Sequence, residues 1–249
     1  MSAPVFLAAD LTDAAPGAPV TLRGEEARHA TTVRRIRVGE TVELVDGRGT
    51  RVRGPISSTQ GELTITVDTV EVEPPPAVRL TLVQALAKGG RDEQAVETAT
   101  EVGIDEVVPW QSERCVSVWA GKKAGRGRER WQAVALAATK QSRRARLPEV
   151  AELVVGRALL DRVARIVDNG GTVLVLHEEA DQPLRSVPLP TNGEVAVVVG
   201  PEGGLSPREV SELRDRGAAV VRLGPHVLRS STAGPIATAL LAQSLGRWG

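Results

Sequence analysis

Three consecutive prolines, Pro74-Pro75-Pro76, divide a chain of 249 residues into two stretches whose hydrophobic periods differ. Prolines cannot donate to a strand ladder and favour a stiff extended spacer, so no single sheet or helix runs through this point. Before them the period is two: Leu63-Thr64-Ile65-Thr66-Val67-Asp68 alternates apolar and polar as a half-buried strand does. Short strands are predicted over Pro19–Leu22, Thr41–Val45, Arg51–Ile56 and Leu63–Val70, broken by Asp46-Gly47-Arg48-Gly49 and Gln60-Gly61. Between them sits Gly24–Ile36, whose Glu25, Glu26 and Ala27 suit a short helix entering the basic run Arg34-Arg35-Ile36-Arg37. These elements suit a small β-domain over 1–73, a barrel, with 74–77 as linker.

Beyond the linker, over 78–249, strands and helices alternate. Strands are predicted over 79–86, 106–109, 172–177, 195–199 and 219–223, and helices over 92–102, 126–146, 156–167, 207–216 and 230–245. Unbroken apolar strands such as Val195–Val199 are the kind covered on both faces, and βα alternation implies an α/β domain with a mainly parallel sheet.

Apolar residues make up 41% of the chain, enough for real cores, and 31 basic residues balance 31 acidic ones, so any basic surface must be local. One cysteine, Cys115, and three histidines cannot supply a disulfide framework or a zinc site of the usual spacing. No metal is expected, and a reducing, cytoplasmic setting fits. No apolar stretch approaches the roughly 18 residues of a spanning helix, and the opening ten residues lack a basic segment before their apolar ones, which argues against a membrane or secretion role. Four Trp, one Phe and no Tyr leave little for base stacking, so RNA contact would fall to arginine.

The sharpest local signal is the strand Val195–Val199 running into Gly200-Pro201-Glu202-Gly203-Gly204 and then a helix starting at Ser206 or Pro207. Such a loop offers bare backbone N–H groups at the carboxyl edge of the sheet, where open α/β folds bind ligands. It is neither a Walker loop, which needs Gly-Lys-Ser or Gly-Lys-Thr, nor a G-x-G-x-x-G dinucleotide turn. A second strand-to-helix loop runs from Leu223-Gly224 through Val227-Leu228-Arg229, with Ser230 or Ser231 expected as the helix cap. A third strand end carries Leu176-His177-Glu178. Three strand ends can line one pocket for a small, partly apolar ligand. His177 and His226 are candidate acid–base groups, although a lone histidine at a strand end is more often structural.

Two local basic clusters stand out. Residues 122–146 carry nine Lys or Arg against Glu129 alone, and 23–37 carry five Arg against Glu25 and Glu26. On a continuous helix Arg128, Gln132, Thr139, Arg143 and Arg146 would share one face, opposite Trp131, Val134, Ala135 and Ala138. That face would be available for phosphate. Two such clusters in a neutral chain favour polyanion binding, with Arg34, Arg35, Arg37, Arg114, Arg143, Arg144 and Arg146 predicted to hold phosphates.

Several motifs in order resemble one family. Glu26-Ala27-Arg28-His29 through Arg34-Arg35-Ile36-Arg37-Val38-Gly39-Glu40, then Asp46–Gly49, are similar to its N-terminal signature. Gln84–Lys88, Glu97–Ile104, Ser112-Glu113-Arg114, Arg130-Trp131, Gln141–Pro148, Gly200–Gly204 and Leu223–Arg229 are similar to its later blocks. The family is the SPOUT class of methyltransferases, within it the RsmE type that methylates N3 of a uridine in 16S ribosomal RNA. The resemblance implies an N-terminal PUA-like barrel, a SPOUT-type C-terminal domain with a trefoil knot, S-adenosylmethionine bound in a bent form, a homodimer, and 16S rRNA or the small ribosomal subunit as partner. It implies that Leu176, His177, Glu178, Gly200, Pro201, Glu202, Gly203, Gly204, Leu223, Gly224, Val227, Leu228 and Arg229 enclose the cofactor. Arg229, and next Lys88, would stabilise charge on the uracil oxygens. One departure is Ser231 in Arg229-Ser230-Ser231-Thr232-Ala233, where the family often has Arg-Thr-Glu-Thr-Ala. Rival readings are a ribose 2′-O-methyltransferase of the same superfamily, a non-catalytic RNA-binding assembly factor, and a phosphate-binding α/β enzyme, the last disfavoured by the missing Lys-Ser or Lys-Thr.

Overall fold

A computed structural model describes residues 3–60 and 62–248, so Gly61 of the expected Gln60-Gly61 turn, and the first two residues of the opening segment, lie outside the described residues. Two compact units are present, one comprising 1–75 with Thr139–Leu147 and the other 76–138 with 148–249.

The first unit holds β1 (Val5–Leu7), β2 (Pro19–Leu22), α1 (Gly24–Arg28), β3 (Thr41–Val45), β4 (Thr50–Ser58), β5 (Leu63–Thr66) and β6 (Thr69–Val72). Its sheet runs β1-β3-β4-β5-β2, with β6 also on β4, and all pairings but β1 with β3 are antiparallel. The inward residues Val42, Leu44, Val52, Ile56, Leu63 and Ile65 are buried with Phe6, as the period of two requires. The single strand expected over Leu63–Val70 is two strands. The chain turns at Val67-Asp68, where Val67 N donates to Ala18 O and Asp68 N donates to Arg53 O at 2.8 Å, and β6 re-pairs with β4. Gly54 permits this corner, because a Cβ there would lie 1.9 Å from the Thr66 carbonyl oxygen. The short helix expected to carry Glu25, Glu26 and Ala27 is present as α1. α1 ends at Arg28 and passes into a π-helical turn, His29–Val33, after which Arg35 takes a left-handed φ of 53°.

The second unit holds β7 (Val78–Ala85), α2 (Arg91–Glu101), β8 (Glu106–Gln111), α3 (Lys122–Gln141), β9 (Glu149–Val150), β10 (Val154–Val155), α4 (Arg157–Asp168), β11 (Thr172–Leu176), β12 (Gly193–Val199), α5 (Pro207–Asp215), β13 (Ala219–Val221) and α6 (Ser230–Ser244). The sheet is wholly parallel, in the order β10-β8-β7-β12-β11-β13 with β9 on β8. Alternate residues face opposite layers. Val83, Ala85, Val175, Ala196 and Val198 pack with Leu159, Val163 and Leu213 of α4 and α5, while Leu82 and Gln84 lie beneath Gly234 of α6. Both faces are therefore buried, which is why these strands read as continuous apolar runs.

The last three residues of α3 and the loop after it belong to the first unit. Leu147 N donates to Gly47 O at 2.9 Å, Gly49 N to Ala145 O at 3.2 Å, and Lys140 Nζ to Glu26 at 2.6 Å. Ala145 is buried against Val5 and Val45. The helix expected over 126–146 stops five residues early and starts four early. Its end is a Schellman turn: Arg144 N donates to Thr139 O, Arg143 N donates to Lys140 O, and Arg143 takes φ 58°. Glycine usually holds that left-handed position, and an arginine there hides the stop. At the other end Gly127 discourages a helix by propensity, yet a Cβ there would lie 2.4 Å from the Trp119 ring, so the packing demands it.

Candidate functional site

At the carboxyl edge of the second sheet the loops after β11, β12 and β13 enclose a cavity of about 460 Å³, within the roughly 300–1,000 Å³ typical of small-molecule sites. Leu176, His177, Glu178, Gly200, Pro201, Glu202, Gly204, Leu223, Gly224, Val227, Leu228 and Arg229 all line it. Gly203 instead faces a neighbouring cleft that it shares with Arg114, Glu179 and Arg214. Sequence reasoning missed Arg91, Val199, Leu205, Arg222, Ser230 and Ala233 as lining residues. Of these, Val199 was expected as the strand end before the glycine loop, Ser230 as a helix cap and Ala233 as part of a motif. Lys88 is exposed and does not line the cavity.

The glycine-rich loop is held from two sides. Glu202 Oε1 accepts from the Lys88 amide at 3.1 Å and from Arg91 Nη1 at 2.9 Å, tying the loop after β12 to the loop after β7. Partial burial opposes ionisation of Glu202, but bonds from its own amide, from Lys88 and from Arg91 outweigh it and hold the carboxyl below its usual range. On the opposite side Arg114 Nη1 donates to the carbonyls of Gly203 at 3.1 Å and Leu205 at 3.2 Å. Arg114 was expected on a phosphate-binding face, but this nitrogen is turned to the loop.

Below it Ser206 caps α5, as its place before Pro207 suggested, in a capping box with Glu209. The buried Glu209 carboxylate also accepts from the amide of Glu113 at 2.8 Å and from Ser112 Oγ at 3.3 Å. The segment Ser112-Glu113-Arg114 thus fixes both the loop and the helix that follows it.

The second loop leads into α6, whose cap is Arg229 with extended backbone and no side-chain bond. Neither Ser230 nor Ser231 caps it, contrary to expectation; both are buried in the first helical turn. Ser230 is among the lining residues, and its buried hydroxyl has no hydrogen-bond partner among the described residues. His177 Nδ1 accepts from the Glu179 amide at 3.2 Å, which places a neutral ring's proton on Nε2. Apolar Leu176, Leu223, Val227 and Leu228, bare glycine backbone and an unpartnered hydroxyl fit a nucleoside with a polar tail. Among the described residues no group of His, Cys, Asp and Glu is placed to hold a metal ion, and no helix is long and apolar enough to cross a membrane.

The basic clusters divide. Arg34, Arg35 and Arg37 are exposed on the first unit beside exposed Val33 and Val38. The face expected on α3 does not form, because Arg143 and Arg146 lie beyond the end of the helix and Thr139 is fully buried. Several members are committed to protein partners: Arg128 to Val150 O and Glu152, Arg130 to Glu93, Lys140 to Glu26, and Arg146 Nη2 to Glu73 O at 2.5 Å. Arg143 stays exposed while its carbonyl accepts from Arg51.

Comparison with known proteins places this geometry. The family described as RNA methyltransferase domain matches residues 73–242, and the one described as RNA methyltransferase PUA domain matches 22–68. A Mycobacterium bovis protein named ribosomal RNA small subunit methyltransferase E is 43% identical over 93% of this chain and 89% of its own length. The Bacillus subtilis protein of that name is 28% identical over 86% and 85%. A Legionella pneumophila chain solved in complex with the bound cofactor SAM is 26% identical, covers 98% of both chains and superposes with a TM-score of 0.83. A Neisseria gonorrhoeae chain, 24% identical over 98% of both, shares the fold with a TM-score of 0.85. With its second unit matched nearly throughout and its relatives alike along most of their length, the chain belongs to the RNA methyltransferase family of the ribosomal RNA small subunit methyltransferase E proteins.

Proposed function

We propose that this chain transfers a methyl group from S-adenosylmethionine to N3 of a uridine in 16S ribosomal RNA. The observation that carries the reading is the cavity where the loops after β11, β12 and β13 meet, in a fold shared with a chain that holds SAM. The residues present fit the cofactor. Leu176, Leu223, Val227 and Leu228 supply apolar walls for adenine, and the glycine backbone of 200–204 allows close approach. When bound, the cofactor supplies a sulfonium-activated methyl group. What remains for the protein is alignment, exclusion of water and exposure of the right nucleophile.

Uracil N3 carries a weakly acidic proton, and pairing occupies that edge, so the base must be unpaired or extruded. Arg229, exposed at the cavity, would stabilise negative charge on the uracil oxygens as N3 loses its proton, with Lys88 beside the Glu202 latch as second candidate. Arg34, Arg35 and Arg37 on the barrel, with Arg143 and Arg144, would hold RNA phosphates. The knot is supported by Arg222, just after β13, whose backbone bonds Gln182 and Leu184 in the connection between β11 and β12. Exposed Ile236 and Leu240, one turn apart on α6, support a homodimer. A ribosomal RNA substrate in a chain of this composition supports a cytoplasmic setting.

The test uses small-subunit RNA from cells lacking this protein, methylated in vitro and digested to nucleosides. 3-Methyluridine is expected. A 2′-O-methylated nucleoside, or no methylated nucleoside at all, would overturn the reading.

A further inference from the structure

The first turn of α6 presents three hydrogen-bond donors to the cavity end of the helix, none with a partner among the described residues. The amides of Thr232 and Ala233 both turn back to the Arg229 carbonyl at 2.9 Å, leaving those of Ser230 and Ser231 without an acceptor. Ser230 is 8% exposed, lines the cavity, and its Oγ makes no hydrogen bond. A buried hydroxyl left unpaired costs free energy, which an acceptor atom of a ligand beside it would recover. α6 is 15 residues long, and the positive end of its dipole adds to the two bare amides.

We infer that this turn is an oxyanion site, with Ser230 Oγ and the Ser230 and Ser231 amides as donors to one anionic oxygen. The inference rests on the methyltransferase reading and deepens it. Two sources could supply such an oxygen: the amino-acid carboxylate of S-adenosylmethionine, or a uracil carbonyl as N3 gives up its proton. Arg91, Arg222, Arg229 and His226 line the same cavity and favour an anion, while Glu178 and Glu202 oppose one, the second already engaged by Arg91 and the Lys88 amide. His177 lines it too, its Nδ1 occupied by the Glu179 amide.

The experiment compares the full chain with Ser230→Ala and Ser230→Thr. Calorimetry is run with S-adenosylhomocysteine, which carries the carboxylate, and with 5′-methylthioadenosine, which lacks it. If the carboxylate is the occupant, Ser230→Ala weakens S-adenosylhomocysteine roughly tenfold and leaves 5′-methylthioadenosine unchanged. If the uracil oxygen is the occupant, both affinities hold, kcat falls roughly tenfold, and the rising limb of kcat against pH moves to higher pH because N3 loses its proton less readily. Ser230→Thr keeps the hydroxyl and restores the wild-type value in either case. Unchanged affinities, kcat and pH profile in a folded Ser230→Ala would overturn the inference alone. Failure of the unaltered chain to bind either nucleoside would overturn the cofactor reading, and the inference with it.

Discussion

Arg114 Nη1 lies 3.1 Å from the carbonyl oxygen of Gly203, a residue 89 positions further along the chain, and the same nitrogen reaches Leu205 O at 3.2 Å. The glycine-rich loop is thus shaped by the segment after β8 as well as by its own glycines. Removing this donor frees the loop without touching the cavity wall. Arg114→Ala is expected to raise KM for S-adenosylmethionine roughly tenfold with a smaller change in kcat. Arg114→Lys, which keeps a donor, should recover part of the loss; a fall confined to kcat would mean the guanidinium acts elsewhere.

Glu202 gives the opposite latch a pH dependence. Its carboxyl is held below its ordinary value, so its contribution is complete above the ordinary carboxylate range and is lost as pH falls through the lower folded value. S-Adenosylhomocysteine affinity measured by calorimetry from neutral pH downwards should weaken on the acid side. Glu202→Gln should bind roughly fivefold more weakly at neutral pH and show a flatter acid limb.

Cys115 directly follows Arg114 in the chain, its thiol directed at the Leu86 carbonyl, 3.2 Å away. Burial pushes its pKa up from 9.0 to about 11. The thiolate is the reactive form, so alkylation by iodoacetamide at pH 8 should run about a hundredfold slower than for an ordinary thiol. Labelling should become fast on unfolding. Rapid alkylation of the native protein would show that the thiol is open to solvent and ionised.

At the amino-terminal end of the same parallel strands, Arg162 of α4 bonds both Glu106 and Glu194, and Arg79 bonds Glu106 at 3.5 Å. Glu106 is 4% exposed. Arg162→Ala leaves a buried carboxylate without its main partner and should destabilise the fold by about 3–5 kcal/mol in urea titration. S-Adenosylhomocysteine affinity below the unfolding transition should be retained, because the cluster and the cavity lie at opposite ends of the strands.

Arg35 and Arg143, one in each basic cluster, are the non-glycine residues with left-handed backbone among those described. Arg35→Gly relieves that conformation and is expected to raise stability by up to about 1 kcal/mol, some of the gain being offset by entropy in the unfolded chain. RNA affinity should fall, and the slope of log affinity against log salt should lose roughly one unit or slightly less. An unchanged slope would place this arginine off the RNA.

The amino-acid order alone determined the change of period at Pro74–Pro76, the strands covered on both faces, and the loops at three strand ends, two of them bearing glycine. These follow from short-range rules, since period, turn chemistry and capping at Ser206 are settled within a few residues. Tertiary structure alone decided the rest. Arg143 ends α3 in a conformation usually left to glycine, and residues 139–147 join the barrel because Gly47, Gly49 and Glu26 offer bonds there. Arg114 turns to Gly203 and Leu205, Glu202 to Arg91, and Ser230 keeps a bare hydroxyl, because each buried carbonyl, carboxylate and hydroxyl meets whatever partner the folded chain brings near. Those partners stand up to 114 residues apart, as with Lys88 and Glu202, and no local pattern encodes a distance of that kind.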